Sequence, residues 1–295
     1  MQGGAVNKIV RRSSVWPATM LASLLLVLAA GGASAVAQET PLPDLSGRWI
    51  MVQELATYAI LPLVGEIHLT TTISSFSDAI QDGANVTLQD AYCFTDLAVT
   101  TTLFVTEIPD EAMQSLRPDP RAAQLAVEGD TVRLVQDWYT EVRGAKLEDP
   151  VNDPLPISPS DPRIIDQEGD GKLGITIPVE LVDLLAGETY VIQRFRYRLE
   201  GDVIDADTII GLVEWTTEQT IVSATDALFF MPYEQVTDPD PRRSRFVMVR
   251  VDDSWDCETA REQLEALIAL LPSLPERVIE DPTAGDPAAE EPATP

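Results

Sequence analysis

The chain has 295 residues, 45% of them hydrophobic, and carries 48 acidic against 20 basic side chains, a formal net charge of −28. That length and apolar fraction suffice for a sizeable core, while the charge excludes nucleic acid and anionic membranes as partners of the surface as a whole. With one histidine and two cysteines, histidine-rich zinc centres, two-histidine metalloprotease helices and a CxxC redox motif are excluded.

Residues 1–37 read as an export signal. Lys8, Arg11 and Arg12 precede the apolar run ATMLASLLLVLAA, and small residues follow up to Ala35-Val36-Ala37. The run is too short to span a membrane and is followed by Gly31 and Gly32. The mature chain is therefore expected to begin near Gln38, to contain no membrane span, and to work in the periplasm or outside the cell. Ser13-Ser14 stand where a twin-arginine signal needs apolar residues, and no Cys at the cleavage point offers a lipid anchor. Loss of the three basic residues takes the net charge from −28 to −31.

From residue 38 to 277 one domain is expected, and its pattern has period two. In EIHLTTTISSF, Ile67, Leu69 and Ile73 share a face; in TVRLVQDWYTEV, Val132, Leu134, Trp138 and Val142 do the same. Asp82-Gly83, Gly129-Asp130 and Gly201-Asp202 each offer the positive φ of a tight hairpin. A two-residue turn at Gly201-Asp202 sets Arg198 against Asp205 and Arg196 against Asp207, opposite charges across a ladder on a solvated face. Such charges on the outer face argue against a lipid-facing outer-membrane barrel.

The stretch PVNDPLPISPSDP, five prolines in thirteen residues, excludes helix and central strand, and marks a Pro-rich acidic insertion over 148–173. Helix is scarce: one turn near PDEAMQSLR, another at PVELVDLLAG, and a longer element in DCETAREQLEALIALLP. There Asp256 can cap the start, Leu264, Leu267, Ile268 and Leu271 line one face, and Pro272 stops it. Residues 278–295, rich in acids, Pro and Ala, read as a disordered acidic tail. Hairpins in succession, no βαβ alternation and a C-terminal helix imply an all-β, mainly antiparallel chain. It is an up-and-down meander closing into a β-barrel of about eight to ten strands.

The ends of the chain resemble lipocalins. DLSGRWIMVQ carries Gly47 and Trp49 like the G-x-W of that family's first strand, SATDAL carries Thr225-Asp226, and SRFVMVRV supplies Arg245 or Arg250 in a last strand before a helix. The resemblance implies that Trp49 closes the bottom of the barrel and that one of those arginines packs across it. In an oxidising compartment Cys93 and Cys257 are expected to be bonded, the alternative being two buried thiols. A bridge would clamp the terminal helix to the barrel wall, a placement similar to that in many lipocalins. The acidic loop is also similar to that of exported bacterial proteins with a D-x-D-G-D-G loop, a likeness that implies no activity.

Chemistry has one local candidate, the loop DPRIIDQEGDGKLG. Against the calcium-loop pattern it offers Asp166, Glu168 and Asp170, then Gly171, with the Lys172 carbonyl at the next ligating position. The twelfth position, where a bidentate Glu belongs, is Ile177, and flanking helices are missing. The two readings are a weak calcium site and an acidic turn. His68 lies opposite Ile67, Leu69 and Ile73, and no G-x-S-x-G elbow, G-x-G-x-x-G or phosphate loop occurs. The expected function is that of an exported, non-enzymatic β-barrel that binds an apolar small molecule or acts as a cell-envelope interaction module. The alternative is a carbohydrate-active or other hydrolytic enzyme with carboxylates the sequence does not place.

Overall fold

The computed structural model describes residues 41–61, 65–100, 104–181, 185–230 and 234–271. The expected signal and the tail lie outside these residues, as does Pro272. Eleven strands form one antiparallel sheet: β1 (Gly47–Leu61), β2 (Gly65–Asp82), β3 (Asn85–Val99), β4 (Phe104–Thr106), β5 (Arg121–Glu128), β6 (Thr131–Arg143), β7 (Ile175–Leu181), β8 (Leu185–Val203), β9 (Thr208–Ala224), β10 (Glu234–Thr237) and β11 (Arg245–Val251). Starting from β8 the order runs β6, β5, β3, β2, β1, β11, β9, and β9 pairs back to β8. The ring closes, so this is a barrel of eight lines.

Three of those lines are made of two pieces. β6 and β7 follow one another along the same edge of β8, with residues 144–174 looping out between them. β10 and β11 follow one another along β1. β5 pairs only with the foot of β3; further up, Ile108 bridges to Thr95 and β4 pairs with β7. The Pro-rich insertion is thus an excursion from a single strand line, and the barrel continues on either side of it. The expected helix at PVELVDLLAG is instead the end of β7 and the start of β8, paired from Leu181↔Leu185 down to Ile175↔Val191. Alternating β-branched residues in ITIPVEL favour the extended chain.

β1 shows why the sequence folds this way. Trp49, Met51, Gln53 and Leu55 point into the barrel, while Ile50 and Val52 point out and are covered by the terminal helices. A strand buried on both faces needs a nearly continuous apolar run. The helical segment is α2 (Cys257–Glu262) and α3 (Leu264–Ile268), broken at Gln263, after the short α1 (Asp110–Ser115) earlier in the chain. Asp256 caps α2 by accepting from the Thr259 amide at 2.8 Å. Leu264, Leu267, Ile268 and Leu271 pack with Ile50, Val52, Phe76 and Val247, as the period predicts.

The Cys93–Cys257 disulfide is formed and ties α2 to β3. Cys93 sits where the β2–β3 register shifts, so Cys93 and Phe94 both face the helix.

Two expectations about register fail. β6 carries a bulge between Gln136 and Tyr139. Below it Val132, Leu134 and Gln136 point inward; above it Tyr139, Glu141 and Arg143 do. Trp138 is therefore on the outer surface, 38% exposed, and not in line with Leu134.

The turn at Gly201-Asp202 is also absent. Gly201 lies inside β8, paired with Gly211 of β9, and the chain reverses at Ile204–Asp207. There the Ile204 amide reaches the Thr208 carbonyl at 2.9 Å and the Asp207 amide reaches Asp205 Oδ1 at 2.9 Å. Both glycines serve close approach. A Cβ on Gly201 would come within 2.6 Å of the Phe246 ring, and one on Gly211 within 2.1 Å of the Glu200 carbonyl. Consequently Arg198 faces Glu214 and Arg196 faces Thr216, while Asp207 pairs with Arg250 at 3.0 Å.

Candidate functional site

The lower end of the barrel is closed. The Arg250 guanidinium lies over the Trp49 ring, 4.4 Å from its centroid, and donates to the carbonyls of Asp44, Ser46 and Ala206. Of the two arginines considered, Arg250 holds the position across Trp49. Arg245 lies on the outer face, paired with Glu54 at 2.5 Å. Gly47, at φ +124°, brings the chain so near that a Cβ would sit 2.9 Å from Arg250 Nη1. Trp49 Nε1 donates to the Leu45 carbonyl at 2.9 Å, so its polar atom is satisfied while the ring is fully buried.

Above this plug the interior is ionic. Arg121 donates to Asp90 from Nε at 2.7 Å and Nη2 at 2.8 Å, with side chains 0% and 1% exposed, and also reaches Gln136. Ser77 donates to the same Asp90 carboxylate at 2.5 Å. One layer up, Arg143 pairs with Glu141 at 2.9 Å and donates to Gln193 at 3.2 Å. The Tyr92 hydroxyl of β3, two lines away, donates to Glu141 at 2.7 Å. Arg143 is sandwiched between the Tyr92 and Phe195 rings, each 5.3 Å away.

Burial, and next the Glu141 carboxylate, push the Tyr92 phenol well above its ordinary value, so it stays a donor. Burial works to lower the values of Arg121 and Arg143, but Asp90 and Glu141 respectively outweigh it and hold both cations charged.

None of these residues was singled out by sequence. A signal existed: in NVTLQDAY, Asp90 shares a face with Val86, Leu88 and Tyr92, and in RAAQL, Arg121 shares one with Ala123 and Leu125.

Towards the upper end the inner wall changes again. Below the Arg143 layer the inward apolar residues make one continuous cluster. Above it they fall into two separate groups on different walls. One holds Ala59, Ile67, Leu69 and Leu97 of β1–β3; the other holds Ala112 of α1 with Ile175, Ile177, Val191 and Ile221 of β7–β9. The inward side chains Thr71, Leu97, Gln193, Thr217 and Gln219 are partly exposed. At the same end Ile60, Leu228 and Phe230 are 60%, 54% and 48% exposed. Beside this region β9 and β10 are not paired as strands. Among the described residues the Trp215 carbonyl of β9 accepts from Thr237 Oγ1 of β10 at 3.1 Å, while Trp215 Nε1 donates to Ser244 Oγ, just before β11, at 2.9 Å. Asp226, next to Thr225, caps the 3-10 turn Ala227–Phe229 at the same end.

The acidic loop belongs to the excursion between β6 and β7. Carboxylate oxygens of Asp166, Glu168 and Asp170 converge within 4.8 Å. Each is also engaged by donors of the loop itself. Asp166 accepts from the amides of Gly169, Asp170 and Gly171, Asp170 from the Lys172 amide and the Thr176 hydroxyl, and Glu168 from the Thr176 amide. The Lys172 ammonium turns to Glu188 at 2.8 Å. Burial raises the Glu168 carboxyl from its ordinary value, while hydrogen bonds from Lys172 and Thr176 outweigh burial at Asp170 and lower it.

The excursion packs through Leu155, Ile164 and Leu173 on the outward residues Ile192 and Val222. Arg194 holds it by donating to the carbonyls of Pro150 and Asp153 while pairing with Glu218 at 2.6 Å. Arg194 is thus a fastening for the excursion on the outer surface. Arg196 and Arg198 lie over Trp138, each 5.5 Å from the ring. His68 faces outward beside Glu66, 3.1 Å away.

Comparison with family models, with curated proteins and with solved structures yields no match. Among the described residues no helix is long and apolar enough to cross a membrane.

Proposed function

We propose that the chain is an exported, non-enzymatic β-barrel that binds an apolar small molecule in its upper half. The observation that carries this reading is the division of the interior. A continuous core and two ion pairs fill the lower half, whereas two unconnected apolar walls flank the upper half, where inward side chains remain partly exposed. Apolar pockets with a few placed polar groups are the usual form of a small-molecule site. The disulfide supports the exported setting, since such bonds persist in oxidising compartments. The hydrolytic alternative has less support. Asp90 and Glu141, the inward carboxylates of the ionic layers, are each held by an arginine and are poorly placed to act as an acid–base pair.

The neutral fluorophore N-phenyl-1-naphthylamine should bind saturably at one site with enhanced emission. Leu97→Arg, which puts a charge at a partly exposed position of the apolar wall, should weaken that binding at least about tenfold. A titration without saturable enhancement would remove ligand binding and leave the interaction-module reading.

A weak calcium site in the acidic loop would be a second ligand function. Convergence of three carboxylates favours it, and their engagement by the loop's own amides favours the acidic turn. Lacking a bidentate Glu at Ile177, a site formed by Asp166, Glu168, Asp170 and the Lys172 carbonyl is expected to bind on the order of 10⁻⁴ to 10⁻³ M. Saturating calcium should then raise the thermal midpoint, and Asp170→Ala should abolish the rise. An unchanged melting curve at several millimolar calcium identifies an acidic turn.

A further inference from the structure

We propose that the first residues of the acidic C-terminal segment dock on the outer wall of the barrel, with Val278 and Ile279 laid on Trp138 and the carboxylates of Glu280 and Asp281 against Arg196. This goes beyond the small-molecule reading and does not depend on it.

One cation of the outer wall has no anion beside it. Arg194, Arg196 and Arg198 share the outer face of β8, opposite Glu218, Thr216 and Glu214 of β9. The first and last pair with their glutamates. At the middle position Thr216 stands where the acid would be, and on the other side Arg196 faces Thr140 of β6. Arg196 Nε is buried without a hydrogen-bond partner, and among the described residues nothing accepts from the rest of its guanidinium, on a side chain that is partly exposed. Asp137 accepts from the Trp138 amide at 2.7 Å and pairs with neither arginine. Next to this cation the β6 bulge turns Trp138 outward, 38% exposed, its ring 5.5 Å from Arg196 and from Arg198. Bulges re-aim side chains, and Trp and Arg are enriched at binding hot spots.

Place and length single out the occupant. α2 begins on β3 and α3 lies on β1 and β11, so the helical segment runs around the barrel in the direction that next meets β9 and β8. It ends at Leu271, in the cluster that holds Val247 of β11 and Ile210 of β9. Residues 272–295 lie beyond the described residues and carry six acids against Arg277 alone. From Ile210 the wall rises six positions to Thr216, level with Arg196, roughly 20 Å of strand, and β8 lies about 10 Å across from β11. Glu280 is nine residues past Leu271, a reach of up to about 30 Å, which covers that distance. On the way up the wall Trp138, opposite Arg198, comes before Arg196. Val278 and Ile279 precede Glu280 and Asp281 in the same order. A separate acidic partner would have to approach a chain of net charge −28. A tethered segment is already there, at an effective concentration of roughly millimolar.

The test follows Trp138 in the full chain, its emission isolated by difference against Trp138→Phe, with iodide as the quencher. In the parent Trp138 should be shielded. Glu280→Gln together with Asp281→Asn should raise its iodide quenching constant at least about twofold, since a freed Arg196 gathers anions. Adding Arg196→Gln should cancel that rise. The tail variant alters no contact of the described residues, so poor folding does not confound it. Equal quenching in parent and tail variant would overturn the proposal and leave Trp138 and Arg196 open to a separate partner. A rise that persists with Arg196→Gln would overturn it as well, because the tail acids would then act through general charge and not at this site.

Discussion

Arg121→Met is expected to destabilise the protein by about 3–5 kcal/mol, the cost of leaving one partner of a buried ion pair alone. Asp90 would keep a short hydrogen bond from Ser77 but lose both guanidinium contacts, inside a barrel that admits no solvent at that level. At roughly 2–4 °C per kcal/mol for a chain of this size, the thermal midpoint should fall by about 10 °C.

The double variant Arg121→Met with Asp90→Leu separates pairing from packing. Apolar replacement of both partners often restores or exceeds the original stability, and it should recover at least half of the loss. Calorimetry or circular dichroism on the three proteins decides the matter. If Arg121→Met alone melts within 2 °C or so of the parent, the ion pair does not organise the barrel interior. Its position supports a large effect. Arg121 on β5, Asp90 on β3, Ser77 on β2 and Gln136 on β6 meet at one point, so four neighbouring lines are fixed in register by one side chain.

Those residues also mark where sequence reasoning ran out. Period-two alternation located most strands, and the turns at Gly83 and Gly129 form with the positive φ that their sequences suggested. The apolar stripe of the last helical segment and its Asp256 cap were likewise legible, because both depend on neighbours within one turn. The bulge before Tyr139 was not. One extra residue reverses which side chains face inward without any compositional sign, so the alternation that sets Trp138 and Val142 in line with Leu134 breaks after Gln136. Gly201 misled for a related reason. A glycine beside an aspartate suits a turn, but a glycine inside a strand can serve an aromatic ring from another strand, and Phe246 lies 45 positions away. The polar interior depends on which lines become neighbours, since Tyr92 of β3 meets Glu141 of β6 only because β5 alone separates them in the sheet.

The second large effect is expected from the disulfide. Replacing Cys93 and Cys257 together by alanine should cost on the order of 4–5 kcal/mol, because the bridge spans 164 residues and the entropy removed from the unfolded chain grows with loop length. The midpoint should fall by about 10–15 °C. The loss should also be uneven. The bridge fastens α2 over β3 just where Arg261 lies 3.9 Å above the Phe94 ring and pairs with Asp96 and Asp110. Those exposed ion pairs are each worth little once the covalent tie is gone. The terminal helices should then detach before the barrel melts and uncover Ile50, Val52, Phe76 and Val247, which they now bury. Hydrogen exchange on the variant would show amides of residues 257–269 losing protection while those of β2 and β8 keep it. Uniform loss of protection across barrel and helices would mean that the helices are integral to the barrel's cooperative unit. An unchanged midpoint would mean that packing of Leu264, Leu267 and Leu271 alone holds them.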